Sequence, residues 1–227
     1  MNQNKLFMVK GERCSGTTYL SNLLIHNLNI KVYKYQCWKH GYLQLNSLDD
    51  MAYEQFNVPT IFIFRDVFDW LRSFYLMPHH LEGAYSGRWI KNISFSEFLR
   101  REVKNFDDNN NERMLDKHPF HLRDPKNMLE LRKWKIEHWL NYRTTGRPTY
   151  YLKYEDLREN PEKIIREINN LYFNVEFQFR NWTLYKSNQQ KIYQPKQYFN
   201  ISDDDYQFIL DNVDWDLENK IGYKKYA

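Results

Sequence analysis

Cysteine is nearly absent: Cys14 and Cys37 are the only two in 227 residues. Two thiols make neither a disulfide framework nor the spaced ligand sets of structural zinc, so a reducing compartment is the expectation. No apolar run approaches the ~18–20 residues that cross a bilayer. The opening MNQNKLFMVKG lacks the basic region and apolar core of a signal peptide. A soluble, cytoplasmic protein is expected. Net charge is only +4, which argues against a general polyanion-binding role unless the charge is clustered. A nucleic-acid or membrane partner is not expected.

What is abundant is apolar and aromatic side chain, 42% and 18% of the residues, enough for a substantial core in a chain of one-domain length. Strand and helix signals alternate. Residues 5–9 (KLFMV) read as a strand, TTYLSNLLIHNL as a helix with Leu20, Leu23, Leu24 and Leu28 at helical spacing, and residues 30–35 as a second strand. SLDDMAYEQF reads as a further helix. PTIFIF (59–64) is a short buried strand entered through proline, running into a helix for which Asp66 is the candidate N-cap. Ser94 and Glu97 form a capping box, a long helix spans about Lys126 to Tyr142, TYYLKY is a strand, and NPEKIIREINNLYF is a helix led by proline. The expectation is one α/β domain over 1–227, a parallel central sheet flanked by helices, with loop excursions at about 78–93 and 104–125. In such sheets ligands sit beyond the carboxyl ends of the strands.

Two of those ends carry chemistry. In GERCSGTTYL, Gly11 and Gly16 stand as in a phosphate-binding loop, with Thr17 where nucleoside-triphosphatases place lysine. A glycine loop between a strand and a helix aims backbone N–H groups at one point and attracts an anion there. Ser15, Thr17 and Thr18 add hydroxyls and Arg13 a guanidinium. The plainer alternative is a glycine turn with a Ser/Thr cap. In FIFRDVFDWLRSFY, Arg65 ends a strand and Ser73 follows two helical turns later. The plainer alternative there is an Arg65–Asp66 cap pair with Ser73 on a solvated face.

Together these segments resemble the sulfotransferases that use 3′-phosphoadenosine 5′-phosphosulfate (PAPS). The family's loop, [KR]-S-G-T-T, here reads R-C-S-G-T-T. Its R-[ND]-P-x-x-x-x-x-S reads R-D-V-F-D-W-L-R-S, with Val67 for proline. Its strand ending in Y-E-D-L before a Pro-led helix matches YEDLRENPEKIIREI, residues 154–168. The resemblance implies a P-loop-like sulfotransferase architecture and transfer of a sulfuryl group to a hydroxyl or amine, with no metal needed. It implies that Arg13, Cys14, Ser15, Gly16, Thr17 and Thr18 bind the 5′-phosphosulfate side, that Arg65 and Ser73 hold the 3′-phosphate, and that Tyr154 contacts the adenine. For Tyr154 a core aromatic at a strand end is the alternative. The base implied by CWKHGY is His40, with Lys39 as charge stabiliser and Arg13 as a further catalytic candidate; Glu12 competes for the role of base.

The remaining candidates are weaker. His79, His80, His118 and His121 fall in the two excursions, where acceptor recognition is expected. Arg132, Lys133 and Lys135 read as a solvated helix face with Trp134 and Trp139 beneath, or as a contact to an acidic acceptor. Past residue 170 the resemblance fades, and Lys191 and Lys196 stand in place of the family's R-K-G triplet. The competing functions are a divergent P-loop nucleotide kinase and a non-catalytic nucleotide- or glycan-binding module. The acceptor (small molecule, glycan or peptide) is left open.

Overall fold

A computed structural model describes residues 5–33, 38–42, 58–78, 93–103, 118, 120–121, 123–142, 146–181, 183–184, 190–191 and 197–225. The helix expected at 47–56, Cys37, His79, His80, Lys196 and most of both excursions lie outside the described residues.

Strands β1 (Leu6–Gly11), β2 (Lys31–Val32), β3 (Thr60–Phe64) and β4 (Thr149–Lys153) form one sheet in the order β2-β1-β3-β4, every pair parallel. Between β1 and β2 runs α1 (Thr17–Leu28), and after β3 comes α2 (Val67–Leu76). Then follow α3 (Phe95–Arg100), α4 (Met128–Tyr142), α5 (Tyr154–Glu159) and α6 (Pro161–Tyr172). A two-stranded antiparallel pair, β5 (Thr183–Leu184) and β6 (Gln190–Lys191), precedes α7 (Asp203–Asn212) and α8 (Trp215–Lys220). Among the described residues no helix is long and apolar enough to cross a membrane.

The period-two geometry of a strand explains the layers. On β3, Ile61 and Ile63 pack with Leu20, Leu23, Leu24 and Leu28 of α1 and Ile164, Ile165 and Ile168 of α6. Phe62 and Phe64 point the other way, onto Ile136, Trp139 and Tyr142 of α4 and Leu217 and Ile221 of α8. Each fully buried side chain of this size removes about 1.5–3 kcal/mol of apolar exposure. The chain thus builds a sheet covered on both faces, which is why β3 is buried at every position and apolar from Ile61 to Phe64.

Local signals set the boundaries. The Asp66 carboxylate accepts from the Phe68 and Asp69 N–H groups and opens α2, Ser94 Oγ accepts from the Glu97 N–H and opens α3, and Pro161 occupies the first turn of α6. The last two helices, α7 and α8, are capped by Ser202 and Asp214. Because β2 lies on one side of β1 and β3 on the other, the strand order reverses at β1. That reversal opens a crevice at its carboxyl end.

Candidate functional site

Out of that crevice comes the loop from Glu12 to Gly16. Two of its residues take left-handed backbone, Cys14 at φ 63° and Gly16 at φ 94°. The second is natural for glycine; the first is costly for cysteine and turns the chain sharply. Ser15 closes the turn by donating its hydroxyl to the Glu12 carbonyl at 2.7 Å, and its N–H bonds the same oxygen at 3.1 Å. Gly16 then caps α1 and has no side chain with which to satisfy the first-turn N–H groups. The Thr17 hydroxyl makes no hydrogen bond among the described residues.

A cation reaches this loop from each neighbouring strand. From the β2 side, Lys39 Nζ donates to Thr18 Oγ1 at 2.7 Å. From the end of β3, Arg65 Nη1 donates to the Cys14 carbonyl at 3.0 Å, and its guanidinium stacks on Tyr154, 4.4 Å from the ring centre. Arg65 Nη2 donates to the Tyr198 hydroxyl at 2.7 Å. Arg72 lies over the other part of that same tyrosine environment, 5.1 Å from the ring centre, held by Asp69 and the Phe199 carbonyl. Ser73 is buried two turns into α2, between Trp70 and Phe74, and its hydroxyl makes no hydrogen bond among the described residues.

Two expected ligands of the cosubstrate take other positions. Arg13 is 1% exposed, with its guanidinium 4.5 Å from the Phe74 ring and 5.5 Å from that of Trp38. The left-handed turn at Cys14 separates it from the loop mouth, and the aromatic faces hold its charge. Tyr154 is 2% exposed and belongs to the core. Its ring fills the space under Gly16, where an added Cβ would meet Tyr154 Cδ2 at 2.5 Å. The core alternative describes Tyr154: it supports the loop and Arg65 rather than offering a free face.

The two candidate bases are also placed differently. His40 is buried, with Nδ1 2.7 Å from the Gly11 carbonyl. That contact makes Nδ1–H the donor and leaves Nε2 as the basic nitrogen. Burial first, then the positive charges of Lys39, Lys135 and Arg13, hold the imidazole well below its ordinary 6.5, so it is neutral at pH 7. Glu12 turns away from the loop mouth into the layer between sheet and α4. It pairs there with Arg132, while its Oε1 has no hydrogen-bond partner. Burial raises the carboxyl to about 7, against the pull of Arg132 and Lys135.

Arg132 and Lys135 are therefore not on a solvated face. Each is 1% exposed. Arg132 binds Glu12, the Glu218 carboxylate of α8 and the Arg65 carbonyl; Lys135 donates to the His40 carbonyl. Lys133 does face solvent, paired with Asp214 at 2.9 Å, and Trp134 and Trp139 are buried as expected. A sequence signal for this existed: Arg132, Lys135, Trp139 and Tyr142 fall on one helical stripe with Met128 and Leu131. Tyr198, Arg72, Lys10 and Glu218 had no comparable signal.

In the second excursion His118 and His121 lie 4.2 Å apart between ring centres, His121 stacked on Trp134 at 4.3 Å and His118 edge-on to Tyr42 at 4.8 Å. Burial, with His121 and His138 nearby, lowers His118 to about 4. Among the described residues no group of three His, Cys, Asp or Glu is arranged to hold a metal ion. Lys191 falls on β6.

The geometry defines an α/β protein with a four-stranded parallel sheet and a helix-opening loop at its topological switch point. No protein-family model matches the chain, and no curated protein matches it.

Proposed function

We propose that the protein is a cytoplasmic sulfotransferase of P-loop-like architecture. It moves a sulfuryl group from PAPS to a hydroxyl or amine of a small-molecule, glycan or peptide acceptor. The observation that carries the reading is the double approach to the loop: Lys39 to Thr18 from one side and Arg65 to the Cys14 carbonyl from the other. An uncapped helix N-terminus between two cations suits an anion. The Thr17 and Ser73 hydroxyls, without a hydrogen bond among the described residues, add donors for it.

PAPS, when bound, supplies the sulfuryl group and leaves as the 3′,5′-bisphosphate. The loop N–H groups of Gly16, Thr17 and Thr18 with Lys39 hold the 5′ side; Arg65 and Ser73 hold the 3′-phosphate. His40 Nε2 takes the proton lost by the acceptor as its oxygen or nitrogen bonds to sulfur, and Lys39 balances the charge that develops on the departing phosphate. His40 suits this role because it is neutral and oriented by Gly11. Glu12 does not, since its carboxylate is spent on Arg132. Arg13 is left out of the chemistry.

The test is a calorimetric titration with adenosine 3′,5′-bisphosphate. Wild type should bind, Arg65→Ala should bind at least about tenfold more weakly, and no binding by wild type removes the reading. A second reading draws on Lys39, which restores a lysine to the loop from another segment: a nucleotide kinase. Preferential binding of ATP with Mg²⁺, and activity lost in EDTA, would select it instead.

A further inference from the structure

The candidate base is carried on a segment of three residues whose carbonyls are all taken by other elements. The Trp38 carbonyl accepts from Lys10 Nζ of β1 at 3.1 Å and from the Gly41 N–H at 2.8 Å. The Lys39 carbonyl accepts from the Gly11 N–H at 3.2 Å, and the His40 carbonyl from Lys135 Nζ of α4 at 2.9 Å. Both lysines are buried, Lys10 at 2% exposure and Lys135 at 1%. Trp38 lies between the cations, its ring 5.5 Å from the Arg13 guanidinium and 5.9 Å from Lys135 Nζ, and it meets the His40 imidazole edge-on at 4.9 Å.

Holding a backbone carbonyl does not require an ammonium group. A neutral side-chain amide or a main-chain N–H does it without the desolvation cost of a buried charge, which is several kcal/mol per ion. Here two ammonium groups are spent on the carbonyls of Trp38 and His40, the residues on either side of the one that reaches Thr18. Their charge has a second effect. The groups facing His40 are Lys39 from its own segment, Arg13 from the loop and Lys135 from α4, with Lys10 on the neighbouring carbonyl of Trp38. The Glu12 carboxylate, just past β1, is turned to Arg132.

We propose that Lys10 and Lys135 are positioning residues, clamping the Trp38–His40 backbone so that Lys39 and His40 face the loop. The Lys135 ammonium, bonded to the His40 carbonyl, also disfavours a second positive charge on the imidazole. Neither lysine touches substrate in this scheme; each acts through the segment it holds. The inference rests on reading His40 as the base. The clamp itself is a matter of this chain's own geometry.

The test is an NMR titration of the His40 imidazole in the full chain. In wild type it should stay neutral well below pH 6.5. In Lys135→Met its midpoint should rise measurably, and Lys135→Arg should restore the wild-type behaviour. A purely structural lysine would lower stability and leave the midpoint where it was, which overturns the proposal. A second measurement needs no variant. The Lys135 ammonium protons of wild type, buried and bonded to the His40 carbonyl, should exchange with water slowly enough to be observed; fast exchange also overturns the clamp. Failure of wild type to bind adenosine 3′,5′-bisphosphate would remove the sulfotransferase reading alone, since neither NMR measurement uses a ligand.

Discussion

Arg132 donates one N–H to the main-chain carbonyl of Arg65 at 2.8 Å. The same guanidinium holds Glu12 at the foot of the loop and Glu218 on α8. One buried side chain therefore fixes the end of β3 and the end of β1 relative to each other. Replacing it by methionine leaves two carboxylates buried without their cation. Arg132→Met should cost about 3–5 kcal/mol, read as a lowered urea midpoint. Adding Glu218→Gln to that variant should recover part of the loss, because one of the stranded charges is gone.

Acid and base titrate in opposite senses beside this network. Glu12 is raised from 4.5 to about 7 in the folded state, so between those values the unfolded chain releases a proton that the folded chain keeps. Its contribution makes stability fall as pH rises through that window. His40 is lowered from 6.5, so the unfolded chain takes up a proton first as pH falls, and its contribution makes stability fall on acidification below about 6.5. Denaturation followed from pH 4.5 to 7.5 should show Glu12→Gln removing the first slope and His40→Asn removing the second. Parallel changes in both variants would contradict the assignment.

Gly16 is placed where no side chain fits. Its φ is 94°, and a Cβ would sit 2.5 Å from Tyr154 Cδ2. Gly16→Ala should destabilise by about 1–3 kcal/mol and weaken adenosine 3′,5′-bisphosphate binding together with it. Thermal denaturation and calorimetry on the same sample check both parts.

Lys39 is only partly buried, so its effect on an anion should depend on salt. Lys39→Met should lower bisphosphate affinity and flatten its dependence on ionic strength. Arg65→Ala should lower affinity at every ionic strength, since Arg65 is 5% exposed and less screened. Equal salt slopes in the wild type and Lys39→Met would remove Lys39 from the binding site.

The parts of this fold that were readable from sequence are those encoded within a few residues. PTIFIF is a strand because five consecutive apolar or β-branched positions face two helical layers, and α2 begins after Asp66 because its carboxylate caps the Phe68 and Asp69 N–H groups. Ser202 and Asp214 cap α7 and α8 in the same way, although neither helix is among those expected from the sequence. The fate of charged side chains was not local. Arg132 looks like a surface residue until Glu12, 120 positions away in sequence, and Glu218, 86 positions away, are brought to it. Arg13 lies within the loop in sequence, yet its guanidinium packs against Phe74 beside the left-handed Cys14. Tyr154 is a core residue that sequence position alone does not reveal, because its ring fills the space under Gly16.

The link from Glu12 through Arg132 to Glu218 has a consequence for how the chain is made. A ribosome delivers the loop well before α8. Until residue 218 has emerged, Arg132 lacks one of its two carboxylates, and the foot of the loop is held by an incomplete set of bonds. The anion site should therefore mature late in synthesis. Nascent chains arrested before α8 should carry the loop sequence without its binding capacity.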